Sequence, residues 1–357
     1  VTFALLLNIY GQRQDTPFER FRRVAQVAEE VGFDGLYLPD HMFLAEDRHY
    51  ALSADPARPY FLEAWTTLSA AAAVTRRIRV GPQVTPVTLR HPAFIARMGA
   101  TLDVVSGGRL LLQVGSGWNE REFCAFGLPF ERSFRRRMEM LDEGVKVIRK
   151  LWTEDGWVSF QGKHYRLDRA PLWPKPLQKP CPPIWFGGKG RLSQELAGRL
   201  GDGWTPAAPH YRGLDPEEYQ QGIERARAAA RAAGRDAEAL VPGALFWTCI
   251  DEDRGRALRA AEILRRRRDW ASWPAEELVR LGIVLAGNPD DCIEALERYV
   301  RAGVRYFTLS FIPQDIERTE AGLRLYERYV LPHFAAGATA APGEGPVLSG
   351  PPPLRGL

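Results

Sequence analysis

Residues 78–115 read IRVGPQVTPVTLRHPAFIARMGATLDVVSGGRLLLQVG. The opening segment, 78–85, is short, apolar and rich in β-branched residues, the pattern of a buried strand. Pro92 suits the first turn of a helix, and apolar residues keep helical spacing as far as Val105. Ser106-Gly107-Gly108 then closes the helix, and 109–115 resume as an apolar strand. Strand, helix and strand in immediate succession make a βαβ unit, whose strands are parallel and covered by the helix.

The same alternation runs outward in both directions. Upstream, 2–10 and 35–39 read as strands and 63–74 as a helix. Residues 17–31 form another helix, with Phe18, Phe21, Val24, Ala25, Val27, Ala28 and Val31 on one face and Gly32 as the stop. Downstream, 135–152 is helical, with Met138, Leu141, Val145, Ile148 and Leu151 on one face. Residues 157–167 alternate like a hairpin, and 171–183 are Pro-rich. Further strands lie at 184–186, 203–205, 241–250 and 306–312, with helices at 192–200, 216–233, 254–269, 274–282, 289–302 and 317–334. Eight strands, most leading into a helix, favour a closed (β/α)8 TIM barrel over an open doubly wound sheet. No dinucleotide fingerprint supports the open sheet, because Glu120 stands where Gly115-Ser116-Gly117 would need a third glycine. The reading is one barrel over 1–334 with insertions near 43–62, 118–134 and 153–183, and then a Pro-, Gly- and Ala-rich tail at 335–357.

Composition narrows the function. The chain of 357 residues is 45% hydrophobic and 26% charged, which excludes wholesale disorder. A formal charge of +4 without a basic block gives no reason to expect nucleic acid. Cys124, Cys181, Cys249 and Cys292 lie far apart, so neither a metal site nor a disulfide framework is expected. No apolar run is long enough to span a membrane, and residues 1–7 lack the basic flank of a leader. A cytoplasmic enzyme without a membrane partner is the expectation.

In a barrel of this kind chemistry sits at the C-terminal ends of the strands. There the sequence places Asp40-His41, Gln83-Val84-Thr85, Arg90-His91, Gly117-Trp118-Asn119 and Gly187-Gly188-Lys189-Gly190. His41 suits proton transfer near neutral pH; equally, it fits a histidine at the core edge bonded to a carbonyl. Asp40 could orient His41, bond a ligand or cap the next loop. Residues 187–190 lead into a helix, so their backbone N–H groups with Lys189 suit a phosphate, or form a Gly-rich turn with a solvated lysine. Trp118 could wall a planar ligand or pack beneath its loop. A phosphate cradle, an aromatic wall and a lone histidine fit a phosphorylated redox cofactor that brings the difficult chemistry with it.

Several segments, taken in order, make the pattern specific. They are Gly32-Phe33-Asp34-Gly35 running into Asp40-His41, Thr101-Leu102-Asp103 with Ser106-Gly107-Gly108-Arg109, and Gly115-Ser116-Gly117-Trp118-Asn119 with Glu122-Phe123 and Phe126-Gly127. Pro183-Ile184-Trp185-Phe186-Gly187-Gly188 and Gly201-Asp202-Gly203-Trp204 complete the series. Together they resemble the luciferase-like monooxygenase superfamily across residues 2–334. The resemblance implies a bacterial luciferase-like barrel and an oxidoreductase acting on a small organic molecule. One branch binds FMN and activates oxygen, with a separate flavin reductase as partner. The other binds coenzyme F-420, a deazaflavin, and moves hydride without oxygen. Asp40-His41 resembles the deazaflavin branch, since many FMN members carry Glu-His, and Trp118-Asn119-Glu120 does likewise.

In that branch the resemblance puts a non-proline cis peptide at Gln83–Val84, against the back of the ring. It gives Asp40 and His41 catalytic roles on the substrate side. Gln83, Val84, Thr85, Gly117, Trp118 and Asn119 are expected around the ring, and Gly187, Gly188, Lys189 and Gly190 along the phosphate tail, with Arg90 helping Lys189 to neutralise charge. Coenzyme F-420 is thus the expected cofactor and FMN the alternative; a non-catalytic flavin-binding barrel is a further alternative. Many members are homodimers, and this chain is expected to be one. The deazaflavin-dependent glucose-6-phosphate dehydrogenases have a Trp shortly after Asp-His, where this chain has Ala45, and an acid in place of Trp118. A sugar phosphate is therefore not the expected substrate. The segments 43–62 and 206–215 are expected to shape a partly apolar pocket.

Overall fold

The computed structural model describes residues 1–7, 18–42, 62–208, 213–266, 270–312 and 316–336. The insertion near 43–62, with Ala45 and His49, lies outside them except for Leu62, as do His210 and the tail beyond 336. The strands are β1 (Thr2–Leu6), β2 (Gly35–Leu38), β3 (Arg79–Pro82), β4 (Thr85–Pro86), β5 (Leu112–Gly115), β6 (Trp157–Gln161), β7 (Arg166–Pro171), β8 (Ile184–Gly187), β9 (Gly203–Thr205), β10 (Val241–Ile250), β11 (Val284–Gly287) and β12 (Tyr306–Phe311). All but the β6–β7 hairpin join one parallel sheet in the order β3-β2-β1-β12-β10-β9-β8-β5-β4. A parallel bridge from Val80 to Leu110 closes the ring, with Val80 N–H on the Arg109 carbonyl and Leu111 N–H on the Val80 carbonyl, both at 3.0 Å.

Segments β3 and β4 are two halves of one strand, broken at Gln83–Val84, so the ring holds eight strand positions. The expected barrel is the observed one. A further strand, β11, pairs with the far end of β10 and has no counterpart in the sequence reading. Four residues flanked by helices are too few to show a period. Within the expected helix at 254–269, the described residues form an α-helix over Arg254–Ala261 that tightens to a 3-10 turn at Glu262–Arg266.

Alternation along the strands separates two cores. Outward residues such as Phe3, Leu5, Leu36, Val80, Leu112, Phe186 and Phe307 pack beneath the helices, while Ala4, Leu6, Tyr37, Leu111, Trp185, Leu245 and Tyr306 fill the barrel interior. The turn at 106–109 is held by two buried charges. Arg109 donates to the carbonyls of Ala72, Thr75, Ile78 and Ser106. Asp103 accepts from Leu177 N–H at 2.7 Å, Gln178 N–H at 3.0 Å and the Gln178 side chain at 2.6 Å. Asp103 thereby ties the segment after the β6–β7 hairpin to the barrel. Asp103→Ala is expected to cost about 1 kcal/mol, since it removes the acceptor of three part-buried donors. Urea denaturation checks this; an unchanged midpoint would show that the segment is anchored otherwise.

Candidate active site

The chain leaves β2 at Leu38, and Asp40 comes next at the rim, buried and only 1% exposed. Its carboxylate accepts a fork from Arg90, Nη1 at 2.6 Å and Nη2 at 2.9 Å, together with Thr85 Oγ1 at 2.5 Å and Trp65 Nε1 at 3.0 Å. Arg90 also reaches Glu63 Oε1 at 3.4 Å. Both Asp40 oxygens are therefore satisfied by protein, and the fork offsets the cost of burying the charge. No hydrogen bond joins Asp40 to His41 among the described residues. The guanidinium of Arg90, expected beside a cofactor phosphate, is matched here by carboxylates.

His41 has another partner. Its Nδ1 lies 3.0 Å from Glu122 Oε2, and Glu122 Oε1 accepts Met42 N–H at 2.5 Å. Glu122 is 1% exposed and sits in the first turn of the short helix Glu120–Ala125. The carboxylate fixes the imidazole with its Nδ1–H donating, which leaves the Nε2 lone pair as a proton acceptor. Nε2 has no partner among the described residues. The Trp118 ring, half-exposed, meets the His41 ring edge-to-face at 5.8 Å between centroids. Sequence reasoning placed His41 at the rim and missed Glu122, Trp65 and Glu63 as the groups that organise it and its neighbour.

The loops around these residues are fixed. Gly117 has φ +75° and its carbonyl accepts Arg137 Nε at 3.0 Å. Arg137 also holds the Glu131 and Arg132 carbonyls, so one side chain pins the segment carrying Trp118 and Glu122. Thr88 Oγ1 donates to the Ser116 carbonyl at 3.0 Å. Asn119, buried, precedes the helix without capping it.

Across the mouth, the Gln83–Val84 peptide is cis, at the position the resemblance implied. The Val84 side chain lies over two glycines: a Cβ on Gly115 or on Gly187 would come within 2.8 Å of its methyl groups. Gln83 is buried and its Oε1 has no hydrogen-bond partner among the described residues. Beyond Gly187, Gly188 has φ +97° and its carbonyl accepts Trp204 Nε1 at 2.8 Å. Gly190 precedes the helix Arg191–Leu200 without a side-chain cap, and a Cβ there would meet nothing within 4 Å. Lys189 Nζ lies 2.5 Å from Glu218 Oε2. A helix start open to its surroundings and beside a lysine suits an anion. No cluster of metal-ligating side chains occurs among the described residues.

These features fit a flavin-like group. Gly115 and Gly187 make room for the Val84 side chain at the mouth, and Gly190 leaves the uncapped start of Arg191–Leu200 open beside Lys189, where a phosphate could be accepted. The family model described as luciferase-like monooxygenase matches residues 2–306. The chain belongs to this family. Among relatives, an F420-dependent glucose-6-phosphate dehydrogenase of Amycolatopsis mediterranei (strain U-32) is 30% identical over 87% of this chain and 92% of its own length. An FMNH(2)-dependent dimethylsulfone monooxygenase of Pseudomonas putida is 32% identical over 64% of this chain and 59% of its own length. A solved F420-dependent secondary alcohol dehydrogenase in complex with an F420-acetone adduct superposes with a TM-score of 0.77 at 25% identity, covering 92% of this chain and 98% of that one. The family barrel thus carries both cofactor chemistries among its relatives, and the rim of this chain holds a histidine–carboxylate pair. No helix among the described residues is long and apolar enough to cross a membrane.

Proposed function

We propose that this chain is a coenzyme F-420-dependent oxidoreductase in which His41, held by Glu122, moves the proton that accompanies hydride transfer to or from a small organic alcohol, carbonyl, imine or activated alkene. The observation that carries it is the 3.0 Å contact between His41 Nδ1 and Glu122 beside the glycine-lined mouth. When bound, the deazaflavin supplies the hydride acceptor or donor. Gln83, Val84 and Thr85 would back its ring, Gly117, Trp118 and Asn119 would edge it, and Gly187, Gly188, Lys189 and Gly190 would hold its phosphate. Lys189 would exchange Glu218 for the phosphate as its partner.

In the oxidising direction His41 Nε2 takes the hydroxyl proton of the substrate, and in the reducing direction it returns it. Glu122 stabilises the imidazolium in either case. Asp40 acts at one remove: with Arg90, Thr85 and Trp65 it fixes the backbone from which His41 projects. Trp118 adds an apolar wall, which favours a partly apolar substrate over a sugar phosphate. The deazaflavin reading is also supported by the two F420-dependent proteins named above and by Asp-His after β2. The dimethylsulfone monooxygenase relative favours a second reading, an FMN-dependent monooxygenase served by a flavin reductase. A homodimer in the cytoplasm fits both.

Incubation with oxidised coenzyme F-420 and a panel of secondary alcohols under argon, and a parallel incubation with reduced FMN in air, test this. Reduction of the deazaflavin by at least one alcohol, with no substrate-dependent oxygen uptake when reduced FMN replaces it, is the expected result. Oxygen uptake with reduced FMN and an inert deazaflavin would establish the second reading instead.

A further inference from the structure

The barrel interior contains a polar layer that the proposed chemistry does not use. In a closed barrel, inward side chains from alternate strands share a layer. Registers place Tyr37 of β2, Gln113 of β5, Thr205 of β9 and Thr308 of β12 in one such layer. Gln83, the residue after β3, lies in the layer on the mouth side, and Trp185 of β8 in the layer beneath. Gln83, Gln113, Trp185, Thr205 and Thr308 are all at most 6% exposed.

The Tyr37 hydroxyl is paired with the Tyr306 hydroxyl at 2.6 Å. In contrast, Gln113 Oε1 and Nε2, Thr205 Oγ1, Thr308 Oγ1, Gln83 Oε1 and Trp185 Nε1 have no hydrogen-bond partner among the described residues. Polar atoms buried in this state are destabilising, and six in three adjoining layers of one barrel outweigh what a domain of marginal net stability tolerates. The set contains donors and acceptors together, so neither an anion nor a cation matches it. Water matches it, because one molecule donates and accepts and makes about three bonds in protein interiors. Six atoms at about three bonds per molecule require about two waters.

We propose that the Gln113–Thr205–Thr308 layer binds at least two long-lived internal water molecules. These waters close the hydrogen bonding of the barrel interior and give Gln83, at the mouth, its missing partner. Direct pairing among the side chains and capture of a polar edge of a bound cofactor are the competing occupancies.

The test is deuteron magnetic relaxation dispersion on the full chain, which counts waters with long residence times, combined with a high-resolution crystal structure of the cofactor-loaded protein. The expected result is density for water within hydrogen-bond distance of Gln113 and Thr308, and a dispersion amplitude that falls by about one water in Thr308→Val and again in Gln113→Met. If Gln113→Met does not fold, Thr308→Val and the wild-type density carry the test. An unchanged amplitude in a folded Thr308→Val, density showing Gln113 bonded directly to a threonine hydroxyl, or a cofactor atom in place of water would each overturn the proposal. None of these outcomes depends on whether the cofactor is a deazaflavin or FMN.

Discussion

Replacing His41 by alanine is expected to lower turnover by about 10²-fold or more, because it removes the group that moves the proton. Cofactor affinity should stay within a few-fold, since the imidazole bonds to Glu122 and packs on Trp118. Glu122→Gln should leave the fold intact and also lower turnover, by a smaller factor. The amide at Nδ1 no longer compensates an imidazolium and stabilises the wrong tautomer in one of its two orientations. The signature of that positioning role is a displaced pH–rate profile with an unchanged substrate KM. Steady-state rates of the two variants against pH separate the roles. If His41→Ala turns over normally with saturating cofactor, the histidine is a wall residue and the proton moves elsewhere.

Arg90→Ala is expected to destabilise the protein by about 3 kcal/mol, the low end of the range for breaking a buried ion pair, because Arg90 is itself partly exposed. The cost comes from Asp40, which stays buried at 1% exposure with only Thr85 and Trp65 left as donors. Arg90→Lys should recover part of the loss, since an ammonium restores the charge without the fork. Guanidinium denaturation of the three proteins measures this. A loss below about 1 kcal/mol for Arg90→Ala, the value of an exposed pair, would show that Asp40 is stabilised from elsewhere. Activity should fall with stability in this variant, in contrast to Glu122→Gln.

The barrel is legible because each strand carries its own punctuation. The Ser106-Gly107-Gly108 stop, the apolar 109–115 run and the glycines after Phe186 are local signals, and local signals place strand ends. Asp40-His41 and residues 187–190 stand out in the sequence because each lies directly at the C-terminal end of an apolar strand. Partner choice is not legible. Glu122 lies 81 residues from His41, and Arg90 lies 50 residues from Asp40. Nothing in either segment states which carboxylate faces which base; that depends on how neighbouring strands bring their loops together. Hence Arg90, which the resemblance sets beside the phosphate, is found paired with Asp40. The interior polar layer is hidden for a related reason. Gln113, Thr205 and Thr308 are isolated polar residues in apolar strands, and only the barrel register makes them neighbours.

The most direct test of the proposed function is a binding comparison. The protein, freed of bound cofactor, is titrated with oxidised coenzyme F-420 and separately with FMN, following quenching of its tryptophan fluorescence, to which Trp118 at the mouth contributes. Deazaflavin binding at least tenfold tighter than FMN, a difference of about 1.4 kcal/mol, is the expected result. Tight FMN binding with weak or absent deazaflavin binding would contradict it and make the chain the oxygen-using type of luciferase-like enzyme.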